Sequence, residues 1–197
     1  MHDFNPALPF TGVVLAGGRS SRMGQDKAML TLPNGRTLLD QALHTLRAAG
    51  ASELLVSVHQ GQTYGRPGTR ELTDSVDNCG PLAGLVAALD NASTDRIVVL
   101  AVDLPSITPI YLQMLFAVSG KSCGVVPLQG DFFEPLAAVY PRRAAQSARD
   151  ALSAGQFSLQ LWVRELAMKN LIQPIIVEPS ETGLFANWNS PDDIPIS

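Results

Sequence analysis

The sequence predicts an α/β fold, a three-layer sandwich in which helices cover both faces of a mainly parallel, Rossmann-like central sheet. Short apolar runs that end in turn residues alternate with segments of helical periodicity along the 197 residues. The chain shows no internal repeat and no linker long enough to divide it. We therefore expect one domain over residues 1–197, with residues 1–10 as an N-terminal tail.

The first elements are predicted from short local signals. Residues 12–16 form an apolar run too brief for a helix, and a glycine pair ends it. Thr37 is a typical helix N-cap because Asp40 follows three residues later, and a stripe of leucines then leads to Gly50, where the helix should end. Residues 54–58 predict the next strand, before a polar loop.

Two further helices are predicted to begin at proline, a residue that suits the first helical turn. Pro81 opens one of them, and Pro109, preceded by the cap residue Thr108, opens the other. Between them the apolar run 97–102 predicts a strand that stops at Asp103. The remaining predictions are strands at residues 124–127, 136–140 and 172–177, helical segments across 144–167, and a short final helix capped by Ser190.

The composition indicates a compact globular protein, with 46% hydrophobic and 16% charged residues. A net charge of −4 without a long Lys/Arg run argues against nucleic acid or an anionic membrane as a partner. Cys79 and Cys123 form no CxxC pair, so neither a disulfide framework nor a zinc site is expected. The N-terminus lacks the basic start and apolar run of a signal peptide, and we expect a cytoplasmic location.

The segment LAGGRSSRMGQDKAML, residues 15–30, predicts a phosphate-binding loop. Its glycines let backbone N–H groups approach phosphate oxygens, and Arg19, Arg22 and Lys27 supply positive charge. The spacing excludes a Walker A loop, and no G-x-G-x-x-G fingerprint is present. A triphosphate is the ligand that this combination favours.

Asp103 follows directly after the apolar run 97–102, at the carboxyl end of a predicted central strand. Ligands in open α/β sheets bind at that edge. A carboxylate in this position can hold Mg²⁺ while the metal bridges phosphate oxygens. We therefore predict Asp103 as a metal ligand, with Mg²⁺ as the cofactor.

Several blocks of the sequence together form a recognisable pattern, of which the glycine loop is the most specific. They are residues 15–30, 73–75 with 80–84, 102–105, 135–140 and 187–193. This pattern resembles the molybdenum cofactor guanylyltransferase family, a group of Rossmann-like nucleotidyltransferases with the glycosyltransferase-A-like fold. The resemblance extends almost to the C-terminus.

The resemblance implies transfer of GMP from GTP to the terminal phosphate of molybdenum-loaded molybdopterin, with release of pyrophosphate. It also implies other cofactor-assembly proteins or target molybdoenzymes as protein partners. The expected catalytic residues are Lys27, Arg22 and Asp103. Nucleotide binding is expected at Leu15, Ala16, Gly17, Gly18, Lys27, Asp74 and Asp103, and Asn187 and Asn189 are expected to shape the active centre.

Other interpretations stay open at the level of sequence. A cytidylyltransferase or a sugar-phosphate nucleotidyltransferase would carry the same glycine loop, because base selection depends on a few contacts. A non-catalytic GTP-binding assembly protein is the other alternative, although Lys27 and Asp103 are both intact. Glu134 departs from the neutral or weakly basic residue typical of the family, and it adds negative charge near an anionic acceptor.

Overall fold

The structure is a computed structural model that describes residues 8–16, 26–73 and 79–188. Within these ranges the chain forms one eight-stranded sheet. The strands are β1 (Thr11–Leu15), β2 (Glu53–Val58), β3 (Arg70–Thr73), β4 (Arg96–Ala101), β5 (Gly124–Gln129), β6 (Phe132–Phe133), β7 (Ala137–Pro141) and β8 (Ile172–Ile176).

Helices and short 3₁₀ segments lie between and after these strands. The helices are α1 (Leu38–Ala49), α2 (Pro81–Asn91), α3 (Pro109–Val118), α4 (Ala145–Ser153) and α5 (Leu159–Met168). The 3₁₀ turns are Lys27–Met29, Arg142–Ala144 and Pro179–Phe185.

The sheet has the strand order β3-β2-β1-β4-β7-β5-β6, and β8 pairs with β5. The four strands β3, β2, β1 and β4 are parallel, whereas β7 runs antiparallel to both β4 and β5. Two hydrophobic cores form on the sheet, one containing residues of α1 and α3 and the other residues of α2, α4 and α5. The predicted α/β sandwich with a mainly parallel sheet is confirmed.

Helix α1 shows why local sequence signals were sufficient to predict where a helix begins and ends. The side chain of Thr37 accepts a hydrogen bond from the Asp40 amide at 3.1 Å, which satisfies an otherwise unpaired donor of the first turn. Gly50 adopts φ = 102°, a left-handed conformation that glycine reaches without strain and that ends the helix. Leu39, Leu43 and Leu46 are buried, so the predicted apolar stripe faces a core.

One predicted segment differs from the structure. The polar loop that follows β2 ends at residue 69, because residues 70–73 form β3, which pairs with β2 and buries only Leu72. The helical segments predicted across residues 144–167 are α4 and α5, and Gly155 has φ = 71° between them. The predicted final helix at Ser190 lies outside the described residues.

The remaining sequence-level expectations concern cysteines and membranes. Neither Cys79 nor Cys123 forms a disulfide. None of the helices found in residues 8–16, 26–73 and 79–188 has the length and apolar character that a membrane span requires. The cytoplasmic location stays a prediction.

Candidate active site

The candidate active site lies at the carboxyl edge of the neighbouring parallel strands β1 and β4. Hydrogen bonding continues past both strand ends, since the Ala16 amide donates to the Ser57 carbonyl at 3.2 Å and the Val102 amide donates to the Leu15 carbonyl at 3.4 Å. Leu15 and Ala16 are only 5% and 6% exposed as whole residues, so both are buried at this edge. Asp103 follows Val102 and begins the loop beside them.

Lys27 and Asp103 face each other across this edge. The Lys27 Nζ atom is 3.4 Å from Asp103 Oδ2, although the two residues are 76 positions apart in the chain. Their side chains are 22% and 26% exposed, so both charged groups are partly shielded and still open to a ligand. The structure thus brings together the predicted phosphate-binding cation and the predicted metal ligand.

A short 3₁₀ turn positions Lys27. Asp26 caps this turn, because its Oδ1 atom accepts a hydrogen bond from the Ala28 amide at 3.0 Å. Ala28 itself is completely buried. Lys27 therefore projects from a turn that is fixed by a cap on one side and by core packing on the other.

The segment near the C-terminus also reaches this edge. The Trp188 amide donates a hydrogen bond to the Asp103 carbonyl at 2.9 Å, which places exposed Asn187 next to the site. The preceding turn is anchored by Phe185, whose ring meets Tyr111 edge-on with centroids 5.6 Å apart. The predicted position of Asn187 near Asp103 is consistent with these contacts, while its role stays a prediction.

Several predicted site residues lie outside the described ranges. One range ends at Ala16, inside the glycine loop, and the next ends at Thr73, the first residue of the second block. Roles in nucleotide or phosphate binding therefore remain predictions for these positions. The predicted residues outside the described ranges are Gly17, Gly18, Arg19, Arg22, Asp74 and Asn189.

Glu134 occupies the segment between β6 and β7. Its amide donates to the Pro127 carbonyl at 2.8 Å, and partial burial of the side chain raises the pKa of the carboxyl group. Tyr111 is close enough to respond to it: burial, then the charges of Glu181 and Glu134, raise the tyrosine pKa to about 12. The extra acid noted in the sequence is therefore partly shielded from solvent.

The sequence analysis missed the residues that contact Asp26. The Asp26 Oδ2 atom accepts a hydrogen bond from Gln62 Nε2 at 2.6 Å, and the same nitrogen lies 2.8 Å from Tyr64 Oη. Both partners belong to the polar loop, which was assigned no catalytic pattern. The only available signal was the proximity of Asp26 to Lys27 in sequence.

Residues 12–169 match the family model for the MobA-like NTP transferase domain. The chain belongs to this family. A relative from Opitutus terrae, a probable molybdenum cofactor guanylyltransferase, is 37% identical over 190 residues that cover 95% of this chain and 94% of the relative. The resemblance inferred from the motifs is thereby confirmed, and this MobA-like NTP transferase is a nucleotidyltransferase.

Solved structures agree with the fold of this MobA-like NTP transferase. Molybdopterin-guanine dinucleotide biosynthesis protein A from Archaeoglobus fulgidus has a TM-score of 0.74 at 24% identity, with 94% of this chain and 95% of that chain covered. Rv0371C from Mycobacterium tuberculosis, solved as a complex with manganese, has a TM-score of 0.62 at 22% identity, with coverage of 87% and 89%. At these identities the likeness establishes the shared fold.

The donor set of this MobA-like NTP transferase fits a metal that arrives with its nucleotide. No group of three or more His, Cys, Asp or Glu residues that could hold a metal occurs in the described part of the chain. Mg²⁺ commonly uses one or two carboxylates and completes its shell with substrate phosphates and water. The Asp103 carboxylate, partly exposed at the sheet edge, provides a hard oxygen donor of this kind.

Proposed function

We propose that this MobA-like NTP transferase moves GMP from GTP to the terminal phosphate of molybdenum-loaded molybdopterin and releases pyrophosphate. The observation that carries the proposal is the Lys27–Asp103 pair, which places a cation and a carboxylate 3.4 Å apart at the ligand-binding edge of the sheet. The guanine base and the pterin acceptor are supported by the relative from Opitutus terrae.

We assign the nucleotide contacts as follows. Backbone groups of the strand end and glycine loop bind the nucleotide, Lys27 and Arg22 neutralise its phosphates, and Asp74 lies near the nucleoside. Asn187 and Asn189 complete the active centre from the C-terminal side. The backbone contacts come from Leu15, Ala16, Gly17 and Gly18.

The reaction requires an oxygen of the acceptor phosphate to attack the α-phosphorus of GTP. A new bond forms between that oxygen and the α-phosphorus, and the bond from the α-phosphorus to the bridging oxygen of pyrophosphate breaks. The attacking phosphate is already ionised at neutral pH, so no side-chain nucleophile is needed. The protein contributes alignment of the two phosphates and compensation of their negative charge.

Lys27 is suited to that electrostatic role because its capped turn holds the ammonium group at the strand edge. Asp103 would hold Mg²⁺, which when bound would supply Lewis-acid chemistry that offsets the negative charge of the phosphates. The hydrogen bond from the Trp188 amide to the Asp103 carbonyl brings the neighbouring Asn187 to the same site. We place the enzyme in the cytoplasm and include cofactor-assembly proteins and target molybdoenzymes as possible later partners.

Pyrophosphate release tests the proposal. GTP, CTP and ATP are each combined with Mg²⁺ and with molybdenum-loaded molybdopterin, metal-free molybdopterin or a sugar 1-phosphate. The expected result is release with GTP and the loaded pterin. Release with CTP or with a sugar phosphate instead would favour a different transferase of this fold, and binding of GTP without release from any acceptor would indicate a non-catalytic protein.

A thermal shift gives an independent measure of base preference. At a GTP concentration about one hundred times the dissociation constant, binding adds roughly 2.7 kcal/mol to the free energy of unfolding. This corresponds to a rise of about 5–10 °C in Tm for a domain of this size. Equal shifts with GTP, CTP and ATP would contradict the guanine assignment.

A further inference from the structure

The carboxylate of Asp26 is held at both oxygens. Its Oδ1 atom caps the turn that carries Lys27, and its Oδ2 atom accepts a hydrogen bond of 2.6 Å from Gln62 Nε2. One side chain thus links the Lys27 turn to a loop 36 residues further along the chain. Movement of Gln62 would be transmitted to the cap of the turn.

Tyr64 supports the same link. Its Oη atom is 2.8 Å from Gln62 Nε2, and its ring packs against the core that contains residues of α1 and α3. Burial, followed by the hydrogen bond and charge of Asp26, raises the pKa of Tyr64 well above its ordinary value. The phenol therefore stays neutral, and its oxygen accepts the hydrogen bond that Gln62 Nε2 donates.

The loop is also fixed to β3. The Glu71 Oε1 atom accepts hydrogen bonds of 2.8 Å from the amides of Tyr64 and Gly65, and its Oε2 atom accepts one of 2.7 Å from Thr63 Oγ1. Because β3 is paired with β2 in the central sheet, these bonds attach the loop to a rigid element. Gln62 directly precedes the anchored segment.

A second attachment joins the loop to α1. Arg66 donates through Nε to Asp40 Oδ1 at 2.7 Å and through Nη2 to Asp40 Oδ2 at 3.3 Å, which is a bidentate pair. Asp40 lies in the first turn of α1, whose cap is Thr37. The loop is therefore tied to a strand and to a helix directly after Gln62, the residue that contacts Asp26.

We propose that Gln62 and Tyr64 are positioning residues for nucleotidyl transfer, acting through Asp26 to hold the Lys27 ammonium group opposite Asp103. The inference rests on the proposed function, because it assumes that Lys27 contacts the phosphates of the nucleotide. A displacement of about 1 Å in a catalytic group can reduce the rate by about 10²-fold, so a link of this kind has kinetic consequences. The three residues Asp26, Gln62 and Tyr64 are called the Asp26 brace below.

Steady-state kinetics of three variants separate positioning from general destabilisation. Gln62→Ala removes the hydrogen bond to Asp26, and Tyr64→Phe removes the hydroxyl group while keeping the ring. We expect each to lower kcat by about tenfold or more with less than about a threefold change in KM for the nucleotide, because the alignment of Lys27 matters most in the transition state. Gln146→Ala is the matched control, since it removes another glutamine side chain and its hydrogen bonds within α4 without touching Asp26 or its loop, and its kcat should equal that of the wild type.

Hydrogen exchange tests the brace without relying on activity. The Ala28 amide donates to Asp26, so its exchange reports directly on the cap of the Lys27 turn. Gln62→Ala should accelerate exchange across residues 26–30, whereas Gln146→Ala should leave it unchanged. Equal exchange in wild type and Gln62→Ala would overturn the proposal even if the variant lost activity.

A double-mutant cycle distinguishes failure of the brace from failure of the proposed function. If Gln62 acts through Lys27, adding Gln62→Ala to a Lys27→Ala enzyme should lower single-turnover pyrophosphate release no further than Lys27→Ala alone. Independent, additive losses would refute the brace while leaving the function intact. Wild-type turnover in Lys27→Ala itself would instead refute the role of Lys27 in the proposed function, and the brace would then be judged by hydrogen exchange alone.

Discussion

Replacing Asp103 by asparagine should separate the stability of this protein from its activity. The substitution keeps the shape of the side chain and removes its charge, while the Asp103 carbonyl that accepts the Trp188 amide is unaffected. At 3.4 Å the attraction between Lys27 and Asp103 is about 1 kcal/mol in a water-like medium and about 5 kcal/mol at an effective dielectric constant of 20. Solvent screening reduces most of this attraction, because both side chains stay partly in contact with water.

The net loss in unfolding free energy should therefore be about 1 kcal/mol or less, which lowers Tm by no more than about 4 °C. The effect on catalysis should be far larger. Loss of one preorganised electrostatic group typically lowers kcat by about 10²–10³-fold, equivalent to about 3–4 kcal/mol. Calorimetry and a pyrophosphate-release assay at saturating nucleotide and Mg²⁺ measure the two quantities on the same preparation.

Asp90→Asn provides the matched control. Asp90 forms an ion pair with Arg149 on partly exposed side chains of α2 and α4, so its loss removes one carboxylate far from the predicted chemistry. Its turnover should equal that of the wild type. Near-normal turnover in Asp103→Asn would refute the catalytic role of Asp103, and a fall in Tm well beyond that expected would show that its carboxylate mainly supports the fold.

Three further predictions concern packing and titration. Gly84→Ala places a Cβ atom 2.5 Å from Ser57 Oγ. Overpacking should cost about 1–3 kcal/mol, which outweighs the roughly 1 kcal/mol gain in helix propensity, so Tm should fall. Adding Ser57→Ala should restore Tm. Glu134→Gln should raise Tm at pH 7 and have no such effect at pH 4. Burial raises the pKa of Glu134 in the folded state, so the wild type loses stability as pH rises above the pKa of this group in the unfolded state. An equal rise in Tm at both pH values would contradict this reasoning. Glu71→Gln should lower Tm at pH 7, and this difference in Tm should shrink as pH falls below about 4. Burial raises the pKa of Glu71, but hydrogen bonds from Thr63 and two backbone amides outweigh burial, so the folded-state pKa lies below its ordinary value. A Tm difference independent of pH would show that this carboxylate contributes no pH-linked stability.

Elements with local signals were predicted closely. Helix α3 spans Pro109–Val118, as expected from the Thr108 cap and the proline after it, because capping depends on atoms within one turn. Asp103 was placed at the sheet edge for a similar reason, since the length of the apolar run before it determines where the strand ends. Lys27 was predicted as a phosphate-binding cation from the composition of the glycine loop, whereas its ion pair with Asp103 was not predicted.

Features that depend on pairing between distant segments could not be read from the chain. β3 contains only one buried side chain, Leu72, so no alternating pattern marks it, and it is a strand because it pairs with β2. The contact between Gln62 and Asp26 depends on how the loop closes over the Lys27 turn. Glutamine in a polar loop carries no signal of such a contact, because the same composition is typical of solvated connections.

The bond between the Trp188 amide and the Asp103 carbonyl involves main-chain atoms alone. Every amino acid except proline can supply that amide, so the segment approaching it is able to change its side chains while staying docked at the same place. Evolution can therefore change the surface beside Asp103 without moving the acid. A chimera that exchanges residues 179–187 between relatives would be a practical route to altered acceptor preference.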